Sequence, residues 1–165
     1  MPRKIRQYTG EAITVEYDSV RCIHAAECVK GLPAVFDQHR RPWIDPSMAQ
    51  PAEIAEGVAR CPTGPPTFSR LDDGQAEAIP QENTVRIGPD GPLFASGEIL
   101  VESDAAVVFR GTRVALCRCG ASNHKPFCDG EHVGVRFSDP GELTTSPPVD
   151  EAETGLLTIT LVANG

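Results

Sequence analysis

Residues 117–132 read CRCGASNHKPFCDGEH, and they place three cysteines and a closing histidine within sixteen positions. Thiolates are soft ligands that suit zinc, copper(I) or iron–sulfur clusters. Cys117 and Cys119 are two apart, so on an extended segment both side chains point to the same side and can bind one iron. Cys128 and His132 are four apart, which on a helical turn puts both on one face, where they can bind a second iron. The spacing therefore predicts two ligand pairs that face one metal centre.

The same stretch carries further residues in a fixed register. The pattern is Cys-x-Cys, a hydroxyl residue, a proline, then Cys-Asp-Gly and a histidine, and its members are Cys117, Cys119, Ser122, Pro126, Cys128, Asp129, Gly130 and His132. With this pattern the stretch resembles the CDGSH iron–sulfur domain, the family of mitoNEET. The resemblance implies a 2Fe–2S cluster bound by Cys117, Cys119, Cys128 and His132.

One residue departs from the family pattern, and one alternative metal remains. Glu131 stands where the family usually has Ser, Ala or Thr. It removes no ligand, but its negative charge beside His132 disfavours the addition of an electron. Zinc is the alternative metal, because three cysteines and one histidine are a common structural zinc set. The Cys-x-Cys spacing is less usual for zinc, and the long match to the family pattern favours iron.

A second group of cysteines lies in the first third of the chain. Cys22 and Cys28 flank IHAAE, and Cys61 opens the sequence CPTG. A Cys-Pro that closes a cluster motif is a ferredoxin feature. This region, about residues 12–70, resembles single-cluster ferredoxins and, more closely, the divergent 4Fe–4S mono-cluster family. Ala25 stands at the position of the family's middle cysteine.

The missing fourth thiol leaves the N-terminal cofactor open. Three thiolates can hold three irons, so the resemblance implies either a 3Fe–4S cluster or a 4Fe–4S cluster. In the second case the fourth iron takes His24, water or another ligand. The other alternative is that this region has lost its cluster and serves as a scaffold.

Composition and cysteine grouping predict two small domains. The chain has 165 residues, only 5% aromatic residues, and 15 Gly and 15 Pro. A core with so few large side chains usually needs a disulfide, metal or cluster to stabilise it. A turn-like sequence at residues 71–75 separates the two cysteine groups. We therefore expect a ferredoxin-like domain over residues 1–75 and a CDGSH-type 2Fe–2S domain over residues 76–165.

Hydrophobic patterns predict an α+β fold whose second domain is rich in strands. In the first domain, alternation at Ile13, Val15 and Tyr17 indicates a strand, and PAEIAEGVAR at residues 51–60 indicates a helix that begins at a proline. In the second domain the pattern predicts strands at residues 85–87, 98–101, 106–109, 113–116 and 156–162. Residues 138–154 read as an exposed loop.

Charge and hydropathy exclude several classes of function. The formal net charge of -8 argues against nucleic acid or an anionic membrane as the main partner. No stretch of about 18 apolar residues is present to span a membrane. No signal peptide is visible at the N-terminus, so we expect a reducing, cytoplasmic location in which cysteines serve as ligands.

These features predict a carrier of single electrons between the two clusters and a redox partner protein. Storage of a cluster and its transfer to an apo-acceptor protein is one alternative, and a redox or iron sensor is another. We do not expect an enzyme, because no phosphate-binding loop, nucleophile elbow or pair of catalytic acids is recognisable. The sequence supports no prediction of oligomeric state.

Overall fold

A computed structural model describes residues 5–104, 106–142 and 156–161. The chain divides into two units, Met1–Ala78 and Ile79–Gly165. Each unit combines helix with β-sheet, as the predicted α+β class requires, and the second unit is dominated by strands. None of the helices in the described ranges is long and apolar enough to span a membrane.

The first unit contains an antiparallel sheet of three strands. These are β1 (Ile5–Thr9), β2 (Ile13–Asp18) and β3 (Thr67–Arg70), with β2 in the middle. The predicted strand at Ile13, Val15 and Tyr17 is confirmed, and all three side chains are buried. The alternation thus marks the face of the sheet that packs on the core.

Two helices pack with this sheet. Helix α1 (Glu27–Gly31) is short, whereas α2 (Pro51–Ala59) is the helix predicted from the sequence. A reciprocal capping box between Gln50 and Glu53 provides hydrogen-bond partners for backbone N–H groups at the start of this helix. Helix α2 directs Ile54 and Val58 into a core whose buried members are Ile13, Val15, Tyr17, Cys28, Val35, Phe36, Ile44, Ile54 and Val58.

The second unit is built around one long strand. Strand β5 (Leu93–Ser103) pairs along one edge with β6 (Ala106–Leu116). Along its other edge it pairs first with β4 (Thr84–Ile87), antiparallel, and then with β7 (Leu156–Leu161), parallel. The short helix α3 (Glu131–Gly134) follows the cysteine-rich stretch. The buried core consists of Ala95, Ile99, Val101, Phe109, Val114, Leu116 and Phe127.

Two of the predicted strands are in fact one. We expected separate strands at residues 106–109 and 113–116, but β6 continues through Gly111, which pairs with Ile99. A side chain at Gly111 would come within 2.6 Å of the Phe109 ring. The glycine therefore marks a close packing contact inside a strand and not a turn. Of the predicted loop at residues 138–154, positions 143–154 lie outside the described residues, as does Val162 at the end of the predicted last strand.

Candidate metal centres

The end of β6 brings the two halves of the cysteine-rich stretch together. The Cys117 amide donates to the Pro126 carbonyl at 2.8 Å, and the Cys128 amide donates to the Ala115 carbonyl at 2.9 Å. Leu116 and Phe127 form an antiparallel bridge between these two hydrogen bonds. Chain pairing thus places Cys117 beside Cys128, although eleven positions separate them in the sequence.

The four side chains predicted as ligands lie in two close pairs. The Sγ atoms of Cys117 and Cys119 are 3.9 Å apart, and Cys128 Sγ lies 3.4 Å from His132 Nδ1. Two thiolates bound about 2.3 Å from one tetrahedral metal lie about 3.8 Å apart, and a thiolate and an imidazole nitrogen about 3.5 Å apart. Each pair therefore has the separation expected of two ligands on one metal atom, and thiolates with imidazole are suitable donors for iron.

The two pairs also influence one another electrostatically. Burial raises the pKa of the Cys128 thiol, and the neighbouring Cys117, Asp129 and Cys119 raise it further. Thiolates that lie this close repel one another unless a cation neutralises their charge. A bound metal supplies that positive charge. Within the described ranges, no three His, Cys, Asp or Glu side chains are arranged as ligands of a single metal ion.

Asp129 holds the loop between the two pairs. Its carboxylate accepts hydrogen bonds from the amides of Asn123 and Glu131, and its Oδ2 lies 3.2 Å from His124 Nδ1. Burial favours the neutral acid, yet these hydrogen bonds keep the pKa of Asp129 below its ordinary value. Asp129 is thereby held as a carboxylate that orders the backbone next to Cys128.

Ser122 is the second residue that shapes this loop. Its Oγ donates to the Phe127 carbonyl at 2.7 Å and accepts from the His124 amide at 3.0 Å, and the residue is 5% exposed. We expect Ser122→Ala to lower the free energy of unfolding of the second unit by about 1–3 kcal/mol, because it leaves buried polar groups without partners. Denaturant unfolding of the iron-loaded protein measures this, with Ser122→Thr as the control that keeps the hydroxyl. Equal stability of the two variants would contradict the assigned role.

Arg118 lies between two predicted ligands but is occupied elsewhere. Its guanidinium donates to the carbonyls of Gly88, Gly91 and Asp139, pairs with the Asp139 carboxylate at 3.0 Å, and lies over the Phe137 ring. This side chain therefore clamps two loops together and is not a freely solvated charge.

The N-terminal cysteines come from three different parts of the first unit. Cys22 follows β2, Cys28 lies in α1, and Cys61 follows α2. Cys28 and Cys61 are buried, whereas Cys22 is partly buried and packs against the core. Burial raises the pKa of Cys28 to about 11, with further contributions from Cys61 and Cys22. The fold thus brings Cys22 and Cys61 close enough to Cys28 for their charges to affect its pKa.

Two residues beside these thiols were not recognised from the sequence. Tyr17 makes a side-chain hydrogen bond with Cys22, and burial followed by the Cys22 charge raises its pKa. Thr63 Oγ1 lies 3.3 Å from Cys61 Sγ, and that thiol also donates to the Pro65 carbonyl at 3.0 Å. A ligating thiolate can only accept, so Thr63 is placed to donate to it. The available signals were the strand alternation that points Tyr17 inward and the threonine two positions after Cys61.

His24, the alternative fourth ligand, lies on the surface. Its φ of 57° and the φ of 62° at Ala26 put both residues in the left-handed region, which non-glycine residues rarely adopt. In the part of the chain that the structure describes, no hydrogen bond or ion pair joins His24 to the three thiols. Its ring lines a cavity with Trp43.

Comparison with known proteins agrees with this division into two sites. Residues 8–69 match the family of divergent 4Fe–4S mono-cluster domains, and residues 90–133 match the iron-binding zinc finger of CDGSH type. The protein is therefore an iron–sulfur protein that belongs to the divergent 4Fe–4S mono-cluster family and carries a CDGSH-type domain.

Two relatives were found in Escherichia coli. The uncharacterized protein YjdI of strain K12 is 37% identical over 59 residues, which are 36% of this chain and 78% of the relative. YjdI of strain O157:H7 gives the same values. No solved structure matches the chain.

Proposed function

We propose that this protein carries single electrons between two iron–sulfur clusters and a redox partner protein. A 2Fe–2S cluster is held by Cys117, Cys119, Cys128 and His132. The N-terminal cluster, of the 3Fe–4S or 4Fe–4S type, is held by the three thiols of a ferredoxin-like unit, Cys22, Cys28 and Cys61. When bound, each cluster supplies a site that accepts and returns one electron. The observation that carries the proposal is the pairing of the four C-terminal ligands at 3.9 Å and 3.4 Å.

The C-terminal side chains are suited to retaining a bound group. Cys128 is 3% exposed, and the buried Phe127 ring stacks edge-on against Phe109 with centroids 6.0 Å apart. The buried Cys128 and the apolar shell formed by these rings limit the access of water, and a dry shell limits both hydrolysis and ligand exchange. Retention is what an electron carrier needs, whereas a delivery protein must release its cluster.

His132 is the ligand that tunes the redox property of this site. Its Nδ1 faces Cys128 Sγ, so Nδ1 is the nitrogen placed to bind the metal. Imidazole in place of thiolate also raises the reduction potential, because a neutral ligand stabilises the extra electron better than an anionic one. The tuning of the reduction potential is therefore assigned to this one side chain.

We expect His132→Cys to keep its iron but to lower the midpoint potential of the C-terminal centre by about 100 mV or more. Potentiometric titration followed by visible absorption measures the midpoint potential of the variant and of the native protein. Glu131→Gln is the control that alters charge beside the site without changing a ligand. An unchanged midpoint potential in His132→Cys would contradict the role given to His132.

Cluster delivery is the second candidate function, and one observation favours it. His132 lies in the four-residue helix α3, whose next residue Val133 is 74% exposed. A ligand on so short and exposed an element can detach at little cost. Incubating the protein with an apo-ferredoxin separates the two functions. A reversible one-electron couple with no loss of iron supports the carrier, and rapid transfer of iron and sulfide supports delivery.

The setting we propose is a reducing compartment such as the cytoplasm, and the role is not enzymatic. All six cysteines are free thiols, which suits ligands kept reduced. The net charge of -8 favours a redox partner with a basic docking face.

A further inference from the structure

A cavity of about 490 Å³ opens on the first unit beside the N-terminal thiols. We call it the Trp43 cavity, and its lining consists of Arg6, Tyr8, Tyr17, His24, Gln38, Arg41, Pro42 and Trp43. Its volume falls within the roughly 300–1,000 Å³ that is typical of sites for small molecules.

One wall of the cavity is aromatic. Arg6 on β1 pairs directly with Tyr17 on β2, so both side chains share one face of the sheet, and Tyr8, two positions along β1, lies on the same face. The Tyr17 and Trp43 rings meet edge to face with centroids 4.9 Å apart. This arrangement holds the two rings in place and gives the wall aromatic side chains against which a planar ligand can pack.

The rim of the cavity is cationic. It carries the guanidinium groups of Arg6 and Arg41, and none of the described lining residues bears a carboxylate. The chain has 23 acidic and 15 basic residues and is therefore negatively charged overall. The charge of the cavity lining is opposite in sign to that of the chain as a whole. Positive groups gathered at a concave site attract an anion.

Arg41 is held in a definite position at this rim. Its Nη1 donates to the carbonyls of Gln38 at 2.9 Å and Arg40 at 2.8 Å. No described residue accepts a hydrogen bond from its Nη2 or Nε, so these N–H groups are available to a ligand. A guanidinium fixed at one nitrogen and open at the others can bind a carboxylate or phosphate through two hydrogen bonds.

We propose that the Trp43 cavity binds a small planar aromatic anion, a ring that bears a carboxylate or a phosphate. The ring packs against Tyr8, Tyr17 and Trp43, and the anionic group pairs with Arg41 and Arg6. This site is separate from the proposed redox function, and it requires neither cluster to take part in binding.

Calorimetric titration of the full, cluster-loaded protein tests the proposal. Benzoate and phenyl phosphate are the aromatic anions, benzamide is the neutral ring, and acetate and inorganic phosphate are the anions without a ring. We expect at least one aromatic anion to bind about tenfold more tightly than benzamide and than the matching ringless anion. Benzoate against phenyl phosphate distinguishes the two anionic groups.

Variants locate the binding site. Arg41→Gln and Arg6→Gln should each weaken binding about tenfold, whereas Arg60→Gln, the same charge change on the same unit outside the cavity, should leave it unchanged. The chain has one tryptophan, so a change in its fluorescence on binding reports from the cavity itself. Equal affinity for ringed and ringless anions, binding unaffected by both cavity variants, or no binding at about 10 mM of any probe would overturn the proposal.

Discussion

Replacing Cys128 with serine is expected to remove the C-terminal cluster and with it about two irons and two sulfides per chain. Cys128 is one member of the pair with His132, and a hard serine oxygen in its place is a poor ligand for a soft iron–sulfur centre. Its position, 3% exposed, gives water little access to replace the lost ligand. Iron and acid-labile sulfide assays, with visible circular dichroism, measure the loss.

The reciprocal N-terminal variant is the control for this result. Cys61→Ser changes the same atom in the other unit and should leave the C-terminal spectrum intact. If Cys128→Ser kept its full iron and sulfide with an unchanged spectrum, the assignment of this ligand would be wrong.

Cys61→Ser is in turn expected to abolish the N-terminal cluster, the second large effect. Three thiols are the fewest that can give each of three irons its own cysteine, so the loss of one leaves an iron exposed to exchange. Cys61 is buried, and its Sγ lies near the Thr63 hydroxyl and the Pro65 carbonyl. About three or four irons per chain should be lost, depending on the cluster type, while about two remain.

Electron paramagnetic resonance of the oxidised and the reduced protein measures this second effect. A 3Fe–4S centre gives a signal in the oxidised state and a 4Fe–4S centre gives one in the reduced state. We expect Cys61→Ser to lose the N-terminal signal, whichever of the two it is, while Cys128→Ser retains it. If Cys61→Ser and the native protein contained the same iron and gave the same spectra in both oxidation states, the first unit would be a scaffold without a cluster.

The pairing of the C-terminal ligands can be predicted from the sequence because the four residues are close together along the chain. All four predicted ligands lie within sixteen residues, and period-two and helical spacing are enough to pair Cys117 with Cys119 and Cys128 with His132. The contacts of the neighbouring side chains cannot be predicted in this way. Arg118 stands between two predicted ligands in the sequence, but loops around residues 88–91 and 137–139 supply its partners, and spacing along the chain cannot reveal them.

The N-terminal site depends on long-range packing. Cys61 is 33 positions beyond Cys28, so only the family motif joined them in the sequence. Tyr17 was identified as part of a strand, but its contact with Cys22 exists only once β2 has packed on the loop that follows it. Strands β1 and β3 were not predicted, because IRQYT and TFSR are short and largely polar and gain their partners from β2. The local sequence pattern does not reveal strands that form only by pairing with a segment elsewhere in the chain.

The measurement that tests the central claim most directly is an assay of iron, zinc and acid-labile sulfide on anaerobically purified protein, with visible and paramagnetic resonance spectra of both oxidation states. We predict about five irons per chain with a 3Fe–4S N-terminal cluster, or about six with a 4Fe–4S cluster, and about six sulfides in either case. About two irons with two sulfides would restrict the cluster chemistry to the C-terminal site. Zinc without sulfide would contradict the account as a whole.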